Sequence, residues 1–416
     1  MENNSTINNK IPQLRFPGFT GEWQEKKLNE VFSRVTRKNA ENNQNVLTIS
    51  AQYGLISQLE FFKKSVASSD VTGYYLLHKG EFAYNKSSSQ GRPVGAIKPL
   101  RIYDKGVVST LYICFKCNNP EEIDFWEQYF DAGILDSEIL SIAQEGARNH
   151  GLLNISTGDF FGLNVILPTP PEMKKIAECL SSFDDVITAA ENELDSLKAH
   201  KKGLMQQLFP QPGATTPVLR FPCFTGEWTQ YKLGESFDER NEQSLESSDY
   251  PLMAFIAGKG VAAKGEKYDR SALVKDASNK KYKRTELGDF IYSSNNLESG
   301  SIGLNRYGKA CISPVYSIFK AKKGFDPYFI GTILTRKSFI SEMIKYRQGV
   351  VYGQWKIPEK EFLNLIIRIP SFAEQQKIAE FLEAEDQMIA AQEQKVESLK
   401  THKKGLMQQL FPQLQK

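Results

Sequence analysis

Four histidines and five cysteines are all that 416 residues offer toward a metal site or a disulfide framework. His78, His150, His200 and His402 fall in no H-E-x-x-H or other ligand spacing. Cys114, Cys117, Cys179, Cys223 and Cys311 are odd in number and lack framework spacing. Cys114-Phe115-Lys116-Cys117 is a C-x-x-C, but it lies in a strand-like run and no second pair follows at zinc-ribbon spacing. The cysteines therefore read as buried or edge thiols of a reducing cytoplasm, and no metal ligand is assigned. No uncharged apolar run reaches about 18 residues, so a membrane span is not expected. Met1 to Lys10 is rich in Asn and has no apolar core, which reads as a disordered lead-in and not as a signal peptide.

Catalytic signatures are missing as well. There is no G-x-S-x-G elbow, no N-P-P-[YF] and no P-D…E-x-K pattern. Gly258 to Gly265 is rich in Gly and Lys but lacks the G-K-[ST] ending of a phosphate-binding loop. No catalytic residue is assigned, and the expectation is a non-catalytic protein. The net charge of +3 leans only mildly toward polyanions, less than a protein that grips nucleic acid unaided would carry.

What the chain does have, it has twice. Leu14-Arg15-Phe16-Pro17-Gly18-Phe19-Thr20-Gly21-Glu22-Trp23 returns as Leu219-Arg220-Phe221-Pro222-Cys223-Phe224-Thr225-Gly226-Glu227-Trp228. A second phrase, Lys198 to Gln211, returns as Lys400 to Gln413 with only Ala199 changed, to Thr401. The copies stand about 200 residues apart. Solenoid periods are far shorter, roughly 20 to 50 residues, so this is a tandem pair of complete modules.

Each module reads as a mixed domain followed by a long helix. Short strands are expected at Val46–Ser50, Phe82–Tyr84, Val107–Phe115 and Leu163–Leu167 in the first, and at Phe290–Tyr292, Cys311–Phe319 and Leu363–Ile369 in the second. Helical stretches are expected around Asp124–Ile142 and Asp326–Ile344. Similarity between the copies is lost in 39–78 against 244–286 and in the loops after the matched strands.

Thr169-Pro170-Pro171-Glu172 and Ser371-Phe372-Ala373-Glu374 each spell an S/T-x-x-E capping box. After the first, Ile176, Leu180, Phe183, Ile187, Ala190, Leu194, Leu197, Lys201, Leu204 and Leu208 follow steps of four and three. After the second, Ile378, Leu382, Glu385, Ile389, Gln392, Val396, Leu399, Lys403, Leu406 and Leu410 do the same. Such spacing is an a/d seam, and it favours two helices packed on each other over a stripe packed on its own domain. At about 1.5 Å per residue each helix spans roughly 50 Å, enough to hold two domains a turn of duplex DNA apart.

Two loop regions per module carry side chains suited to base edges and phosphates: Asn85, Lys86, Ser87, Gln90 and Arg92 with Arg148, Asn149 and His150 in the first module. The second offers Asn295 and Asn296 with Arg347, Tyr352, Gln354, Trp355 and Lys356. A solvated polar loop is the usual fate of any one such segment. Their equivalent placement in both modules points to the regions, not to single side chains.

The twin L-R-F-P-x-F-x-G-E-W openings, with capped helices ending K-x-H-K-K-G-L-M-Q-Q-L-F-P-Q, resemble the specificity subunits of type I restriction–modification systems over essentially all of 14–413. The resemblance implies an α+β chain of two tandem mixed α/β target-recognition domains separated by two long helices in an antiparallel coiled coil, with pseudo-two-fold repeat. The expected division is a disordered 1–13, domain one at 14–167, helix one at 168–211, a linker at 212–218, domain two at 219–368 and helix two at 369–412. It further implies double-stranded DNA, two modification subunits and restriction/translocase subunits as partners. S-adenosylmethionine, ATP and Mg would sit on those partners and no cofactor on this chain. A stand-alone bipartite DNA-binding protein, an enzyme with unfamiliar motifs and a coiled-coil scaffold stay open as alternatives.

Overall fold

The computed structural model describes residues 10–50, 53–62, 70–88, 93–143, 151, 153–263, 280–349 and 355–412. The chain divides into two compact units, one formed by the residues up to Asn192 together with those from Glu393 on, the other by Glu193–Gln392. Both boundaries fall inside the long helices, Pro170–Gln207 and Phe372–Leu410. Each unit is thus a mixed domain, the first half of the helix that follows it, and the last half of the other helix.

In the first unit a four-stranded antiparallel sheet runs in the order Phe32–Arg34, Ile113–Cys117, Phe82–Asn85, Ala96–Pro99. In the second the same order is built from Phe237–Glu239, Ser317–Ala321, Phe290–Tyr292 and Ile302–Leu304. A separate antiparallel pair joins the start of each domain to its end. Gln24 stands opposite Leu167 and Thr229 opposite Ile369. Aromatic rings fill the cores: Phe32 lies 4.8 Å from Trp126 and 5.0 Å from Phe115, and Phe319 lies 4.5 Å from Phe362. Rings of this size supply most of the apolar area a small domain can bury.

Leu363–Ile369 begins as the end of the helix Glu359–Asn364 and is a strand only over Ile366–Ile369, and two other expected strands are each broken. Val107–Phe115 is Lys105–Val108 and Ile113–Cys117 with a turn between, and Cys311–Phe319 is Ala310–Ile312 and Ser317–Ala321. The turns close in the same way, Tyr112 N donating to Ser109 O at 3.1 Å and Tyr316 N to Ser313 O at 3.3 Å. Serine opening a turn outweighs the β-branched run around it. Likewise Asp124–Ile142 is two helices, Ile123–Asp131 and Asp136–Ile142, parted at Gly133, whose φ of 73° ends the first. The second copy breaks between Pro327–Leu334 and Lys337–Ile344.

Where the two sequences lose their likeness, the backbone keeps it. A hairpin, Leu47–Ser50 with Gly54–Ser57, corresponds to Ala254–Ile256 with Gly260–Ala262. Tyr75–His78 pairs with Lys105–Val108 as Tyr282–Thr285 pairs with Ala310–Ile312. Strand pairing uses main-chain groups, so it tolerates side-chain divergence that any sequence alignment registers as loss.

Cys114 and Cys117 sit three apart on one strand and so face opposite sides. Cys114 joins a core under one face and Cys117 the aromatic core under the other. Burial pushes the Cys114 thiol up to about 12 and the Cys117 thiol up to about 11. They are inert packing groups, and neither zinc nor a redox pair fits that geometry.

The strict repeats meet one another. Arg15 forks onto Glu172 (Nε to Oε1 2.7 Å, Nη2 to Oε2 2.8 Å) and its remaining N–H groups reach the carbonyls of Thr20 and Gly21. Arg220 repeats this with Glu374, Thr225 and Gly226. Gly21 and Gly226 both stand at φ 82°, which turns those carbonyls inward. The capping-box reading is corrected here: both oxygens of each glutamate are taken by an arginine, and only Ser371 Oγ, accepting from Glu374 N at 3.4 Å, completes its half.

The helix ends close the same seats. Trp23 meets Phe411 edge-on at 6.3 Å, and Leu14 N donates to Gln409 O at 2.9 Å. Trp228 meets Phe209 at 6.1 Å, and Leu219 N donates to Gln207 O at 3.0 Å. Each opening phrase therefore seats the end of the helix belonging to the other copy. Two identical sockets need two identical plugs, which accounts for the near-perfect repetition of both phrases.

The seam positions all lie inward. Ile176, Leu180, Ile187, Ala190, Leu208, Ile378, Leu382, Val396 and Leu410 are buried, while Phe183, Leu194, Leu197, Leu204, Ile389, Leu399 and Leu406 are half-buried. Within each unit the helix halves run antiparallel. In the first, Asp184 pairs with Lys403 and Glu191 with Lys400. In the second, Glu193 accepts from Gln392 and Lys201 pairs with Asp386.

Candidate nucleic-acid interface

In the second unit the structure brings together described parts of the two loop regions that the sequence placed far apart, and in the first it joins the described residues that flank them. In the second, the turn after Phe290–Tyr292 is tied to the segment after Lys337–Ile344. Arg347 forks onto Glu298 (2.7 and 2.6 Å), Trp355 N donates to Asn295 Oδ1 at 2.5 Å, and Ile357 N donates to Ser294 Oγ at 2.9 Å. Trp355–Lys356 pairs with Gln348–Gly349 as a short ribbon over that turn.

In the first unit the equivalent ties are main-chain: Ser88 N to Gly151 O at 2.7 Å and Leu153 N to Lys86 O at 3.0 Å. Lys86 Nζ adds a longer bond to Ile155 O at 3.4 Å. Gly151 has φ 68°, and a Cβ there would meet Ser88 Oγ at 2.7 Å, so this crossing accepts only glycine without rearrangement. Each unit thus joins two chain segments into one composite surface at the end of an inner strand of its four-stranded sheet.

The candidate residues divide by what already occupies them. Arg347 is held by Glu298 and only 11% of its side chain is exposed. Its N–H donors also hold the Glu298 carboxyl below the usual carboxylate range. Asn295 spends its carbonyl on Trp355 N, and Asn85 Oδ1 accepts from Ser87 N at 3.1 Å. Lys356 is exposed but pairs with Glu359 at 3.7 Å, and left to solvent are Ser87, Asn296 and the half-exposed ring of Trp355. Gln90, Arg92, Arg148, Asn149, His150, Tyr352 and Gln354 lie outside the described residues. Glu298 and Ser294, which organise the second surface, were not singled out in the sequence. An acid one turn from Asn295 and Asn296, facing a lone arginine, was the available signal.

The family model for the type I restriction modification DNA specificity domain matches residues 226–401. Two relatives come from Methanocaldococcus jannaschii. The putative type I restriction enzyme MjaX specificity subunit is 29% identical over 264 residues, 60% of this chain and 58% of its own length. The type I restriction enzyme MjaVIII specificity subunit is 26% identical over 306 residues, 65% of this chain and 66% of its own length. The chain is similar to type I restriction enzyme specificity subunits, and its residues 226–401 match the DNA specificity domain of that family.

Less than two thirds of either relative is spanned by the match. The fold is shared more widely than that. The crystal structure of the type I restriction–modification S subunit from M. genitalium superposes at a TM-score of 0.57 and 15% identity, covering 97% of this chain and 100% of that one. A chain from a study of complex assembly and conformational transition in a type I system gives 0.51 at 17% identity, covering 95% and 98%. At that level of identity the specificity-subunit fold is what carries over. Among the described residues no group of three or more His, Cys, Asp or Glu is placed to hold a metal, and no helix is long and apolar enough to cross a membrane.

Proposed function

We propose that this chain chooses the DNA sequence at which a type I restriction–modification complex acts, each unit reading one half of a split site. The observation that carries the reading is the composite loop surface. It is built twice on the same sheet topology, yet is tied by a side-chain fork in one unit and by main-chain bonds in the other. A repeated scaffold with divergent loops suits two half-sites of different sequence. Modification subunits would bring S-adenosylmethionine and methylate adenine, and restriction subunits would bring ATP and Mg. This chain would supply recognition and no catalytic group. A net charge of only +3 fits a recognition element whose phosphate contacts are shared with partners.

The test is to express the chain with its modification subunit and map methylated adenines in the host DNA. One split motif is expected, its halves dissimilar and about one helical turn apart, centre to centre. A palindromic motif, or none, would overturn the reading, and methyl transfer by the isolated chain would make it an enzyme. Glu298→Gln gives a finer check. It removes one negative charge from the second surface and frees Arg347 from its fork. The assembled complex is expected to bind its site more tightly at low salt, with a log–log salt slope steeper by about 0.9, one more counterion released.

A further inference from the structure

The second unit holds a cavity of about 290 Å³ away from its loop surface, with no lining residue in common with those loops. Its walls come from the segment that leaves the first long helix, from Lys337–Ile344 and from Ile366–Ile369. Phe209, Trp228 and Phe339, all buried, form an aromatic lining, and two arginines, Arg336 and Arg368, complete it. Both are only partly exposed. The Arg336 guanidinium lies 5.3 Å from the centre of the Phe209 ring.

Neither arginine's side chain has a hydrogen-bond or ion-pair partner among the described residues. Arg15, Arg37, Arg101, Arg220, Arg240, Arg306 and Arg347 each grip a carboxylate. The nearby Glu342 is already engaged, with Lys345 at 2.5 Å. Strand register adds a contrast: Arg368 stands opposite Gln230, and the equivalent place in the first unit, opposite Glu25, is the buried Ile166. The fold accepts an aliphatic side chain at that register, yet here it carries a cation. The Trp228 indole N–H is also buried without an acceptor, as is that of Trp23.

A guanidinium drawn from water and left unpaired forfeits hydration, and a planar carboxylate is the group that restores its fork of hydrogen bonds. We propose that this cavity receives an acidic side chain of a protein partner. Resting on the function proposed above, that partner is a modification subunit bound at the second unit. Aromatic and aliphatic walls suit a protein side chain better than a phosphodiester, which favours open cationic surface. The Arg368 site is specific to the second unit, so the contact is expected to distinguish two otherwise like-seated modification subunits.

The experiment uses the full chain with its modification subunit, comparing unsubstituted protein with Arg368→Ile, Arg336→Gln and the double variant. Subunit association is measured by calorimetry at several salt concentrations, stoichiometry by native mass spectrometry, and stability by urea unfolding. The double variant is expected to bind one of its two modification subunits at least tenfold more weakly, with reduced salt dependence. Arg368→Ile, the residue the first unit already carries at that register, is expected to unfold no earlier than the parent. Unchanged association and stoichiometry in the double variant overturns the proposal. Weakened DNA binding with subunit association intact also overturns it and assigns the cavity to phosphate. Failure of the unsubstituted chain to bind any modification subunit overturns the functional reading itself, and this occupant with it.

Discussion

A chain ended after Gln392 is expected to lose its folded first unit while the second keeps a cooperative transition. The core of the first unit includes Met407, Leu410 and Phe411, all buried, with Leu406 packed against it. Removing them uncovers Trp23 and cuts the bond from Leu14 N to Gln409 O and the pairing of Lys403 with Asp184. Burying one large apolar side chain contributes about 1.5 to 3 kcal/mol, so losing three approaches the whole net stability of a domain, about 5 to 15 kcal/mol.

A gentler version separates packing from chain length. Phe411→Ala should destabilise the first unit by about 3 to 5 kcal/mol and Phe209→Ala the second by a similar amount. Urea unfolding followed by hydrogen exchange at Phe82–Asn85 and Phe290–Tyr292 reads each unit separately. If Phe411→Ala lowers protection in the second unit and spares the first, the plug has been assigned to the wrong socket.

That assignment is where the sequence stopped being legible. The repeated phrases announced a duplication, and the 3-4 spacing announced paired helices. But Leu-Phe-Pro-Gln is the same at both helix ends, so no pattern says which end seats on which opening. Glu172 shows the limit differently. S/T-x-x-E predicts a local cap, whereas the carboxylate is claimed by Arg15, 157 residues earlier in the chain, and a tertiary contact at that separation leaves no local trace. Of the paired strands in 39–78 and 244–286 the sequence offered only Val46–Ser50, seen as Leu47–Ser50, and the likeness of the two stretches was hidden because main-chain ladders do not constrain side chains. Of the candidate surface, the loops' chemistry was readable but not their occupancy. Arg347 looked free until Glu298 was found holding it.

Besides Glu385 and Gln392 the seam has two polar breaks, Lys201 and Lys403, which give the second large prediction. Each meets an aspartate of the opposing helix, and each aspartate also binds its own domain. Asp184 takes Lys403 at 2.6 and 2.7 Å and Gln128 Nε2 at 2.8 Å. Asp386 takes Lys201, Tyr328 OH at 2.5 Å and Arg306 Nη2 at 3.1 Å. One carboxylate thus fixes helix register and ties the domain to the helix, the use of polar seam residues that is best established in coiled coils.

Asp386→Ala is expected to destabilise the second unit by about 1 to 3 kcal/mol, less than a fully buried pair would cost because 29% of the side chain is exposed. The exchange Lys201→Asp with Asp386→Lys should recover part of that, since the interhelical pair returns while the bonds to Tyr328 and Arg306 do not. Burial alone would raise the Asp386 pKa, but hydrogen bonds from Lys201 and Tyr328 and the charges of Lys201 and Arg306 carry it below its ordinary value. A depressed carboxylate stabilises the folded state at pH values above the unfolded pKa, near 4, and the contribution fades as pH falls through the lower folded value. Urea midpoints of the parent should therefore drop below about pH 4 more steeply than those of Asp386→Asn, whose amide cannot titrate. Parallel pH profiles for the two proteins, or no recovery in the exchanged pair, would leave the Lys201–Asp386 contact without a part in setting the register.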